Sequence, residues 1–235
     1  MNLESVLRDG FAQLGLPLDE QAIARYRLYA GALSEKNAVM NLTAIEGDEN
    51  IARLHFLDCA ALLTLADFSG KRVIDVGTGA GFPGLALKIA CPDLSLTLVD
   101  SLDKRIGFLR ETCELLGFTD VNCLHARAEE LPEPYRAAYD IVTSRAVAKL
   151  NVLCELCLPL LKPGGVFIAM KGPAPQEELS EAARAIRLLG GEAERCAVYR
   201  LPHTDVTHSA VFIRKTANTP TKYPRRWAQI KKQPL

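Results

Sequence analysis

No stretch of this 235-residue chain approaches the roughly 20 apolar residues that a membrane-spanning helix needs. The start, Met1-Asn2-Leu3-Glu4-Ser5-Val6, lacks both the basic segment and the apolar run of a secretory signal. The expected compartment is therefore the cytoplasm, with no membrane partner. A disulfide framework is lacking as well. The seven cysteines, at positions 59, 91, 113, 123, 154, 157 and 196, are odd in number and lie in apolar or helix-like stretches, as reduced thiols do. Cys154 and Cys157 form a C-x-x-C pair, but no second ligand pair stands at zinc spacing, so no metal is expected. Internal repeats and low-complexity segments are missing too.

Net charge is zero, with 28 basic and 28 acidic residues, yet the distribution is uneven. From Arg214 to the end there are seven basic residues and no acidic one, which leaves the rest of the chain at −7. A basic tail on an acidic body suits a polyanionic partner or a solvated terminus.

The apolar pattern divides the chain. Residues 1–68 read as a helical N-terminal extension, with helical spacing over 24–33, a helix capped by Asp48 and running to about Phe56, and another from Asp58 to Leu65. Residues 69–216 alternate strands with helices. The expected strands are 73–76, 94–99, 121–125, 139–143 and 166–170, followed by a late pair near 193–200 and 209–214. This predicts an α/β fold with a mostly parallel seven-stranded sheet covered on both faces. Residues 217–235 form the basic C-terminal tail.

Gly77-Thr78-Gly79-Ala80-Gly81 follows the first strong strand and precedes a helix, where glycines allow a sharp turn and close approach of a ligand. The dinucleotide fingerprint G-x-G-x-x-G requires a third glycine where Phe82 stands. Instead, Asp75 lies two places before a G-x-G-x-G run. That arrangement resembles the first motif of the Rossmann-like methyltransferases, in which the acidic side chain steadies the loop near the methionine end of S-adenosyl-L-methionine. An acidic residue there repels a pyrophosphate but not a sulfonium or an ammonium. Gly77 and Gly79 belong to the same cradle. Asp100, at the end of the second strand, is placed to accept hydrogen bonds from ribose hydroxyls, which fits either adenosine ligand. Ala128-Glu129 is expected near the adenine, and Arg145 where cofactor and substrate meet.

After the fourth strand the chain reads Thr143-Ser144-Arg145-Ala146, not the Asn/Asp-Pro-Pro-aromatic run of amino-methylating nucleic-acid enzymes. Cys91 and Cys123 lie in or beside core elements, so no cysteine nucleophile for base-carbon methylation stands out. An acceptor needing little activation remains, ring N7 of guanine among them, with catalysis by positioning. A small-molecule or protein acceptor on the same fold is the alternative.

The chain resembles the bacterial small-subunit ribosomal RNA guanine-N7 methyltransferases, also called glucose-inhibited division protein B. The matching pieces are Asn41-Leu42-Thr43, His55-Phe56-Leu57-Asp58, Asp75 through Gly84, Asp100-Ser101-Leu102 with Lys104-Arg105, Phe108-Leu109, Ser144-Arg145-Ala146, Lys171-Gly172 and Lys222-Tyr223-Pro224-Arg225. The resemblance implies a Rossmann-like class I methyltransferase fold with S-adenosyl-L-methionine as cofactor. Its implied target is a guanine of the 16S ribosomal RNA decoding-region loop, at the position usually numbered 527. It also implies cofactor contacts at Gly77, Phe82, Ala128, Glu129 and Arg145. His55, Arg145 and Lys171 are the candidates on the substrate side, Lys171 against a phosphate. Lys222, Arg225, Arg226, Lys231 and Lys232 are the candidate RNA contacts, the partner being 16S ribosomal RNA or the 30S particle and the enzyme a monomer. The tail departs from the family, which often has Gly and Pro where this chain has Ala228 and Ile230. Trp227 replaces a small residue there, to stack on a base or pack on the domain.

Overall fold

A computed structural model describes residues 2–235. Its first helix, α1 (Leu3–Leu14), starts where the Asn2 side chain accepts the Ser5 N–H at 2.9 Å and ends at Gly15, whose φ of 68° stops the helix. Leu3, Val6, Leu7, Gly10 and Phe11 recur at helical spacing and form its buried face. Helix α2 (Glu20–Met40) is capped by Asp19, which accepts the Ala22 N–H at 2.7 Å. Its buried Tyr26, Tyr29 and Leu33 face inward one turn apart.

The next two expected helices are one. Helix α3 (Asp48–Ile51) continues without a break through a π-helical stretch (Ala52–Leu57), α4 (Asp58–Ala60) and a 3-10 turn (Ala61–Thr64). Gly47, not Asp48, occupies the cap position. The wider π turns set the register of His55 and Asp58.

Seven strands follow, as expected: β1 (Arg72–Val76), β2 (Ser95–Asp100), β3 (Asn122–His125), β4 (Tyr139–Arg145), β5 (Leu161–Lys171), β6 (Gly191–Arg200) and β7 (Thr207–Lys215). Their order is β3-β2-β1-β4-β5-β7-β6, parallel except for β7, which runs antiparallel to both neighbours. Residues 162–165 form an irregularity inside β5, where its register against β4 shifts. Helices α5 (Gly84–Ala90) and α6 (Asp103–Leu115) lie with α1–α4 on one face, and α7 (Leu150–Cys157), α8 (Gln176–Leu188) and the short α9 (Trp227–Lys232) on the other. Strand alternation feeds both cores: Val73 enters the first and Ile74 the second. Leu7, Tyr26 and Phe56 share one cluster with Val73, Leu98 and Ile168, so the core is continuous across residue 68. Among the described residues no helix is long and apolar enough to cross a membrane.

Strand order reverses at β1, which pairs with β2 on one side and β4 on the other. At such a switch point, loops diverge beyond the strands' carboxyl ends and open a crevice.

Candidate active site

That crevice is a cavity of about 310 Å³ bordered by Gly77, Asp100, Ala128, Glu129, Ala146 and Trp227, among others. Gly77 turns with a φ of 69°, and a Cβ there would fall on the Val147 side chain. Asp75 is fully buried: its Oδ2 accepts from Thr78 Oγ1 at 2.6 Å and Gly84 N at 3.0 Å, and its Oδ1 from Thr143 Oγ1 at 3.0 Å. Burial pushes its carboxyl above the usual range against the pull of those bonds. Asp75 steadies the loop, as expected, but does not border the cavity.

The loop has little left to offer a diphosphate. Gly77 and Thr78 donate to Val99 O, Gly81 and Phe82 to Thr78 O, and Gly79 to Asp100 Oδ2 at 3.0 Å. The backbone N–H groups with which a dinucleotide loop holds phosphate are thus mostly spent internally. Asp100, by contrast, keeps capacity. It accepts from Gly79, from Leu102 N at 2.9 Å and from Arg105 Nη1 at 3.2 Å, three of a carboxylate's about four lone-pair sites. Glu129 Oε1 is buried and has no hydrogen-bond partner. Burial raises the Glu129 carboxyl above its ordinary value. Arg127 Nη1 lies 3.8 Å from Glu129 Oε1, beyond hydrogen-bond distance, so the acceptor is open to a donor from a ligand.

A second cavity, of about 380 Å³, adjoins the first and shares Ala146 with it. Ala146 sits at a φ of 56°, the left-handed region that a side chain rarely adopts. Leu54, His55, Asp58, Arg145, Lys171 and His208 border this second cavity. Of these, Asp58 is only 1% exposed. Asp58 Oδ2 accepts from Arg145 Nη1 at 3.1 Å, and Oδ1 from Tyr199 OH and His208 Nδ1, each at 2.9 Å. The Asp58 hydrogen bond raises the His208 pKa above its usual value despite partial burial. Among the described residues, His208 Nε2 has no hydrogen-bond partner.

His55 is stacked on Phe82, centroids 4.3 Å apart, and Phe82 in turn on Tyr29 at 5.3 Å. Arg145 Nη2 lies 2.9 Å from His55 Nδ1, and Thr43 Oγ1 2.9 Å from Nε2. A guanidinium only donates, so Nδ1 accepts and the proton is on Nε2. Burial, reinforced by the Arg145 charge, lowers the His55 pKa to about 3, which agrees with the neutral ring.

Several expected contacts are placed otherwise. Arg145 borders the second cavity rather than the first, and its guanidinium is engaged by Asp58 and His55. Phe82 is buried against the N-terminal helices and does not border the first cavity, and Gly79 is tied to it through its bond to Asp100. Lys171 gives two of its three N–H groups to Ala148 O at 2.9 Å and Glu178 at 2.7 Å. Its first role is therefore to hold the loop after β4, with one donor left for a phosphate. Arg225 has a structural partner as well. Its Nε and Nη2 pair with Glu155 at 2.8 and 2.6 Å, and its backbone N–H binds the same carboxylate at 2.9 Å. Glu155 is fully buried, so Arg225 neutralises it. Lys222, Arg226, Lys231 and Lys232 are exposed. Cys154 and Cys157 are buried, free and packed in the core beneath α7.

Sequence reasoning misses Tyr199, His208 and Glu155, and gives Asp58 no role of its own. Of these four, Asp58 alone lies within a family-like motif. Tyr199 and His208 come from the antiparallel pair at the sheet edge, where nothing local distinguishes them.

Comparison with known proteins agrees with this geometry. Residues 22–205 match the family profile of rRNA small subunit methyltransferase G. The protein named ribosomal RNA small subunit methyltransferase G from Alkaliphilus metalliredigens is 44% identical over 238 residues, spanning 100% of both chains. Its namesake from a Geobacillus species is 46% identical over 94% of each. Among solved structures, TrmN from Thermus thermophilus superposes with a TM-score of 0.54 at 24% identity, over 68% of this chain and 48% of that one. A SAM-dependent O-methyltransferase from Thermotoga maritima gives 0.52 at 17%, over 69% and 66%. These likenesses show the Rossmann-like class I methyltransferase fold. The extent of the sequence match decides the rest: the chain belongs to the rRNA small subunit methyltransferase G family.

Proposed function

We propose that the chain transfers the methyl group of S-adenosyl-L-methionine to ring N7 of a guanine in 16S ribosomal RNA, in the cytoplasm. The observation that carries the reading is the junction of two cavities at Ala146, one furnished for an adenosine and the other for a flat polar base. When bound, S-adenosyl-L-methionine supplies an electrophilic methyl group on its sulfonium.

The chain's own residues then bind and orient. Asp100 accepts from a ribose hydroxyl, and Glu129 Oε1, which has no hydrogen bond within the chain, from the adenine amino group. Guanine presents two acceptors, O6 and N7, on one edge. Donors in the acceptor cavity, His208 Nε2 when protonated and the third N–H of Lys171, suit O6 and meet the amino group of adenine unfavourably. N7 carries a free lone pair, so no proton leaves and no general base is required. The cavity matches that demand. His55 has both ring nitrogens engaged and is a positioning residue: it holds Arg145, which holds Asp58, which orients His208. Proximity of the two reactants supplies the catalysis.

The relatives are named for ribosomal RNA of the small subunit. The exposed Lys222, Arg226, Lys231 and Lys232 give the tail a phosphate-binding character that a small-molecule acceptor would not need. Residues 1–68 then build the acceptor cavity's outer wall, 69–216 the cofactor cradle, and 217–235 the RNA-facing tail. The test is a deletion strain whose 16S RNA is mapped by primer extension and mass spectrometry. Loss of one N7-methylguanine supports the reading, and its persistence sinks it.

A further inference from the structure

We propose that Trp227 forms the outer wall of the adenosine end of the cofactor cavity, so that the basic tail takes part in cofactor binding. The inference rests on the cofactor reading above. Trp227 is the chain's single tryptophan. It opens α9 and borders the same cavity as Gly77, Asp100, Glu129 and Leu156. The ring is half-buried, packed along one side on the second core cluster. An aromatic ring left partly open in the same cavity as an acceptor without a hydrogen bond, Glu129 Oε1, is a stacking platform for a base whose amino group that acceptor takes.

Anchors on both sides fix the indole. Before it, Arg225 is clamped to buried Glu155, and Arg136 donates to Tyr223 O and Thr219 O, each at 2.7 Å. After it, Ile230 is fully buried, and Asn151 Nδ2 donates to Leu235 O at 3.4 Å. Glu155 and Asn151 belong to α7, which also supplies Leu156 to the cavity. The tail is therefore strapped to the helix that lines the site, with Trp227 on the inner side and Arg226, Lys231 and Lys232 exposed.

The lone tryptophan makes the test direct. The full chain is titrated with S-adenosylhomocysteine, followed by calorimetry and by tryptophan emission, with 5′-methylthioadenosine and methionine in parallel. The expected result is an emission change whose midpoint matches the heat, given by both adenine-bearing ligands and not by methionine. Trp227→Ala weakens S-adenosylhomocysteine by about tenfold while Trp227→Phe stays within about threefold, with thermal unfolding verifying that both variants fold. Heat of binding without any emission change overturns the role of Trp227 and leaves the cofactor reading intact. Absence of heat overturns the cofactor reading and this inference with it.

Discussion

Arg145 and Asp58, 87 residues apart in the chain, meet at 3.1 Å in the wall of the acceptor cavity, and Asp58 also receives Tyr199 and His208. Three donors converge on one buried carboxylate. Asp58→Asn keeps the volume but turns an acceptor into a donor and leaves Arg145 unneutralised. It is expected to cost about 3–5 kcal/mol of stability in urea unfolding. Methyl transfer should fall more than the folded fraction does, because His208 loses its anchor. A variant as stable as the parent would contradict the burial of an ion pair at this point.

The neutral state of His55 gives a pH signature. Its pKa is lowered from 6.5 to about 3 by burial and by Arg145. Between those values the unfolded chain binds a proton that the folded chain refuses. Stability is thus full above pH 6.5 and is lost as the pH falls toward 3, with a slope approaching about 1.4 kcal/mol per pH unit. Unfolding midpoints between about pH 7 and pH 4 should separate the parent from His55→Gln, whose acid limb is flatter. Parallel curves would contradict the assignment.

Asp100 holds Gly79 and retains an unused acceptor site. Asp100→Ala should lower S-adenosylhomocysteine affinity by about 10- to 100-fold, from one lost charge-assisted hydrogen bond. RNA affinity measured without cofactor should hardly move.

The tail separates two kinds of basic residue. Arg226, Lys231 and Lys232 changed together to Ala should weaken RNA binding and reduce the salt dependence of the binding constant by about one unit of slope for each phosphate no longer neutralised. Arg225→Ala should instead destabilise the fold by about 3–5 kcal/mol, because it strands Glu155. Charge counting along the sequence puts Arg225 with the others. Its partner lies 70 residues upstream, on the face of α7 that the apolar pattern marks only as buried.

The same contrast runs through the molecule. The glycine loop, Asp75 and Asp100 are legible because their relation is local: strand, turn and acidic residue at fixed spacing. The sheet is legible because alternating apolar segments have few ways to pack. The junction of Asp58 with Tyr199 and His208 is not, since it joins partners 141 and 150 residues apart through the antiparallel register of β6 and β7. The apolar pattern predicts two helices around residue 57, where the π-helical stretch instead carries a single helix through. That wider turn has no local sequence signal, yet it sets His55 against Arg145.

Methyl transfer from labelled S-adenosyl-L-methionine by the purified chain to 16S RNA and to assembled 30S particles, with the product base mapped, tests the central claim most directly. The account predicts one N7-methylguanine in the decoding-region loop, reduced by Asp58→Asn and by Asp100→Ala. Label on any other atom or base, or none on either RNA substrate under conditions where the cofactor binds, would contradict it.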